Sequence, residues 1–178
     1  MMWDRNNWLT YGAVLVVTVI ILVCGQFIWN KYAIAKPLDK GLQQVQGVAA
    51  ASWEDGKNSE NVALNITLDQ VDNLQKTYGE ITDTAKQVLG HKAFKVVLHD
   101  HRTPELEQLY YGVHYNIQEA IFTGNFSAMA GAIDKQAEAA QAKAKVYVDT
   151  GYVYVQLTKG PDALYTVVPR QPGNQEVK

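Results

Sequence analysis

Residues 8–29, WLTYGAVLVVTVIILVCGQFIW, contain no charged side chain. As a helix this run rises about 33 Å at ~1.5 Å per residue, enough to cross a hydrocarbon core of about 30 Å. Trp8 and Tyr11 stand at one end, Trp29 and Tyr32 at the other. Those are the interfacial positions that amphipathic aromatics prefer. The stretch therefore predicts one transmembrane helix. A buried core helix of this length without a charge is the weaker reading. A cleaved leader also fits less well, because the run is long and no small-x-small site ends it. ILVCG has the look of a lipoprotein cysteine, but bulky Val23 precedes Cys24 and the apolar run continues past it. Cys24 is the single cysteine, so the rest of the chain has no internal disulfide.

Lysines at 31, 36 and 40 follow the run, which by simple counting would hold the next domain inside. A short tail before an uncleaved apolar helix is instead the layout of a signal anchor. The expectation is a single-pass protein of the cell membrane with its soluble domain outside the cytoplasm. The expected segments are a tail at 1–7, the span at 8–29, a juxtamembrane linker at 30–37, a soluble domain at 38–170 and a disordered tail at 171–178.

A net charge of −2 over 178 residues, with no Lys/Arg cluster, excludes a nucleic-acid groove. Within 38–170 the hydrophobic pattern changes period repeatedly. Leu38, Leu42 and Val45 recur at helical spacing before Gly47. AAASWED and NVALNITL read as two strands, the second alternating Val62, Leu64, Ile66 and Leu68 against polar positions. Asp69 is the expected cap of a helix carrying Val71, Leu74, Tyr78, Ile81, Ala85 and Val88, ending near Gly90. FKVVLHD returns to strand. Thr103-Pro104-Glu105 starts a helix whose buried stripe is Leu106, Leu109, Val113, Ile117 and Ile121, broken at Gly124-Asn125. An alanine-rich helix, the hairpin KVYVDTGYVYVQL and the strand ALYTVVPR complete the domain. The expected fold is α+β: one compact sandwich, α-β-β-α-β then α-α-β-β-β, on a mostly antiparallel mixed sheet.

The α-β-β-α-β order, with VQGV leading into the first strand, resembles the small envelope modules known as BON, POTRA and ring-building domains. FTGNFSAM and YVYVQL…LYTVVPR resemble segments of uncharacterised single-pass proteins of Gram-positive bacteria. These resemblances imply a bacterial envelope setting and no particular site residue.

Two features could carry chemistry. In VVLHDHRTPE, strand alternation puts His99 and His101 on one side and Asp100 on the other. Two histidines can share a metal, but a site needs a third ligand; His91, Glu105, Glu107 and His114 are candidates, and nothing in the spacing requires any of them to come near. The plainer reading is a polar strand end before a helix cap, so no cofactor is expected. No nucleophile elbow or phosphate loop is present, and an enzyme is not expected. The second feature is the hairpin. A turn at Thr150-Gly151 sets Val148 opposite Val153 and Tyr147 opposite Tyr154. Val146, Val148, Val153 and Val155 then form a core face, while Tyr147, Tyr152, Tyr154 and Tyr165 form the candidate binding face. The expected function is non-enzymatic: a membrane-anchored envelope domain acting by contact with a protein partner or with its own copies. The alternatives are a cell-wall or ligand-binding module using the tyrosines, and a metal protein or enzyme using His99 and His101.

Overall fold

The computed structural model describes residues 5–29, 36–55 and 61–171, with side chains described at 11–25, 37–54 and 62–171. The chain divides into two compact units, Met1–Leu38 and Asp39–Lys178.

The first unit contains helix α1, Arg5–Trp29. Its apolar side chains from Val14 to Val23 are largely exposed. Among the described residues, however, no helix is long and apolar enough to cross a membrane. This corrects the expected transmembrane helix at 8–29, together with the single membrane span, the signal anchor and the cell-membrane location built on it. The flanking aromatics Trp8, Trp29 and Tyr32, the linker from 30 to 35 and the tail from 172 lie outside the described side chains.

The second unit follows the expected element order. Helix α2 (Lys36–Gln43) enters it; β1 (Val48–Asp55), β2 (Asn61–Leu68), α3 (Leu74–Leu89) and β3 (Ala93–His99) come next. Then come α4 (Pro104–Thr123), α5 (Phe126–Ala139), β4 (Lys143–Val148), β5 (Tyr152–Lys159) and β6 (Asp162–Pro169). The strands form two separate three-stranded sheets, not one mixed sheet. In the first, β1 pairs antiparallel and β3 parallel with the central β2. The second is an antiparallel meander, β4-β5-β6.

The first sheet buries one face and the second buries both. In the first, Val62, Leu64, Ile66, Leu68 and Phe94 are buried along with Leu74, Ile81, Ala85 and Leu89 of α3. In the second, Val153, Val155, Leu157, Leu164 and Val168 cluster with Leu106, Val113 and Ile117 of α4 and Met129 and Ile133 of α5. Thr103 caps α4, accepting from the Leu106 N–H, with proline in the first turn. Gly124 closes α4 in the left-handed conformation, and Asn125 caps α5. Helix α3 is capped by Asn73 rather than Asp69. The segment 69–72 instead hydrogen-bonds to side chains of the second sheet.

Candidate functional site

The two histidines lie on exposed positions. His99 is exposed on the open face of the first sheet, with Nε2 3.3 Å from Asn65 Oδ1. His101 is also exposed. Among the described residues no group of three or more His, Cys, Asp or Glu side chains could hold a metal ion. The residue between them is the organised one. The Asp100 side chain is 0% exposed. It accepts two bonds from Arg102, from Nε at 2.7 Å and Nη2 at 2.9 Å. Its Oδ2 also accepts from the Tyr165 backbone N–H at 2.7 Å.

That last bond takes up a donor at the free edge of the second sheet. Tyr165 lies on β6, whose inner side pairs with β5. Its N–H therefore points from the other side, the free edge. Ala163, two residues earlier and on the same side, donates to the His101 carbonyl at 3.2 Å. Pro169, at the far end of that edge, has no N–H to offer. The HDH turn and a proline thus occupy an edge that would otherwise invite strand pairing. Asp100 seals a sheet edge, and Arg102 balances its charge.

The hairpin register agrees with expectation: Val148 is opposite Val153 and Tyr147 opposite Tyr154. Tyr165 joins the face through its pairing with Gln156. The face is not open, however. Tyr154 and Tyr165 are 4% and 2% exposed, and Tyr147 and Tyr152 are half-buried. Helix α3 covers it, with the Tyr78 ring 5.7 Å from Tyr152 and 5.8 Å from Tyr154. The segment before α3 covers the rest. Tyr165 Oη donates to the Asp69 carbonyl at 2.9 Å and accepts from the Val71 N–H at 3.1 Å. Gln156 Nε2 donates to the Val71 carbonyl, and Lys145 Nζ to the Asp72 carbonyl at 3.0 Å. Backbone groups left free by the later start of α3 are satisfied here. This burial corrects the reading of Tyr154 and Tyr165 as binding residues: they join the two sheets.

Asp149 anchors the turn of that hairpin. It accepts from the Gly151 and Tyr152 N–H groups, both at 2.7 Å, and from Tyr154 Oη at 2.6 Å. Partial burial pushes its pKa up, but these bonds and one from Gln75 outweigh it, holding the carboxyl below its ordinary value. Tyr154 and Tyr78 are both pushed far above the usual phenol range, chiefly by burial.

The free aromatic surface lies elsewhere. Among the described residues of this unit, the exposed large hydrophobics are Tyr111 and Tyr115, each 61% exposed, and Phe122, 93% exposed. All three are on α4. At ~100° per residue, positions 111, 115, 118 and 122 fall in one narrow arc. Leu106, Val113, Ile117 and Ala120 are buried on the opposite side. Tyr115 Oη donates to Tyr111 Oη at 3.1 Å, and the two rings meet edge to face. This ridge was legible, since its aromatics are out of phase with the stripe of Leu106, Val113 and Ile117. Attention to the buried stripe alone passes it over. Beside it, a cleft of about 380 Å³ separates α4 from α5, lined by Asn116, Glu119, Thr123, Ala128 and Ala132 among others.

No family model, curated protein or solved structure matches this chain.

Proposed function

We propose that the unit from Asp39 onward is a non-enzymatic interaction domain that works through the α4 ridge. The observation that carries the reading is that Tyr111, Tyr115 and Phe122 share one arc directly opposite the buried side of their helix. Folding leaves them uncovered, although aromatic burial is worth a good deal wherever it is available. Aromatics on a rigid helix present large contact area at small entropic cost, and such residues dominate protein interfaces. The hairpin tyrosines, by contrast, are used inside the fold.

The test is a photo-crosslinking residue placed at Phe122 in cells that make the protein, with Lys135 as a comparison position. The expected result is a discrete adduct at position 122 that disappears when Tyr111 and Tyr115 are changed to Ser. Equal labelling from both positions, or none from 122, contradicts the reading.

A further inference from the structure

We infer that the α4 ridge receives a cationic amphipathic helix of a partner protein; this rests on the ridge being the docking surface. Charge indicates the occupant. Helix α4 carries Glu105, Glu107 and Glu119 and no lysine or arginine. Glu105 is engaged by Lys159 at 2.6 Å. Glu107 and Glu119 are exposed, each one turn from a ridge tyrosine, at i−4 from Tyr111 and i+4 from Tyr115. The cleft beside the ridge is lined by Glu119 and by no cation, and Lys135, one turn beyond Ala132, lies outside it. Exposed tyrosine faces also attract cations directly.

The same charges argue against a second copy of the chain. A two-fold pairing of α4 with itself would set glutamates against glutamates, which costs affinity. Shape argues for a helix. The aromatic ridge and the adjacent groove run along a helix axis, the arrangement into which another helix packs by ridge and groove. Apolar side chains of the occupant would lie against Tyr115 and Phe122, and its lysines or arginines would meet Glu107 and Glu119.

The test uses the full chain and two synthetic amphipathic helices of about 18 residues, long enough to be helical. They share one leucine face; one has lysine and arginine on its flanks, the other glutamate. Binding is followed by fluorescence anisotropy. The expected result is that the cationic peptide binds and the acidic one does not. Glu107→Gln/Glu119→Gln should weaken it about tenfold, two exposed ion pairs together approaching ~1.4 kcal/mol. Asp134→Asn/Glu138→Gln, on α5, should leave it unchanged. Changing Tyr111, Tyr115 and Phe122 to Ser should abolish it. If both peptides bind equally and only the aromatic changes matter, the cationic occupant is wrong and the ridge stands. If the cationic peptide binds but ignores the aromatic changes, the ridge itself is wrong. Absence of binding by the cationic peptide overturns the inference.

Discussion

Replacing Asp100 with Ala should cost about 1–4 kcal/mol of stability. The larger share comes from the Tyr165 N–H, which loses its acceptor. Tyr165 is 2% exposed and sits on a capped edge, so water is a poor substitute. An orphaned buried donor costs ~1–3 kcal/mol. The Arg102 side is worth less, because that guanidinium is 39% exposed and largely solvated already. An ion pair of that kind adds up to ~1 kcal/mol. Asp100→Asn separates the two shares. The amide oxygen can still accept from Tyr165, while the charge facing Arg102 is gone, so the loss should be nearer ~1 kcal/mol. Equilibrium urea unfolding, with the slope checked for constancy, measures both variants. A loss below ~0.5 kcal/mol for Ala, the range of an ordinary surface change, would refute the edge-sealing account. So would an Asn variant as unstable as Ala.

Two further outcomes follow from the site geometry. Asp149 has a folded pKa below its unfolded value of 3.8, so its contribution is present above that pH and is lost as the pH falls through the lower folded value. Acid unfolding of wild type should therefore be steeper below about pH 4 than that of Asp149→Asn, measured by circular dichroism at a series of pH values. Zinc should not raise the melting temperature of the full chain, and His99→Ala/His101→Ala should melt like wild type. A zinc-dependent increase lost in the double variant would restore the metal reading.

Much of the second unit was legible because its signals are local. Thr103-Pro104 and Gly124-Asn125 specify helix ends through their own backbone preferences, and the hairpin register follows from a two-residue turn. What escaped was non-local. The capping of the β6 edge rests on Asp100 meeting a backbone N–H 65 positions away. The cap at Asn73 rather than Asp69 depends on Tyr165 and Gln156 taking up the segment between them. The tyrosine face was placed correctly by alternation. Alternation cannot say that α3 will lie against it, since that is decided by how the two sheets stack. The α4 ridge is the converse case: its phase was visible in the sequence, and its exposure follows only once α5 and the second sheet are seen to occupy the other side.

The aromatics divide their labour: the hairpin tyrosines hold the fold together, while Tyr111, Tyr115 and Phe122 of α4 are left free. Parallel urea melts of Tyr111→Ser/Tyr115→Ser and Tyr147→Ser/Tyr154→Ser test this division most directly. The α4 pair should shift stability by no more than ~1 kcal/mol, the scale of exposed changes plus one ring contact. The hairpin pair should cost at least ~3 kcal/mol, the usual loss on truncating a buried aromatic. A large loss from the α4 pair, or a small one from the hairpin pair, would contradict the account.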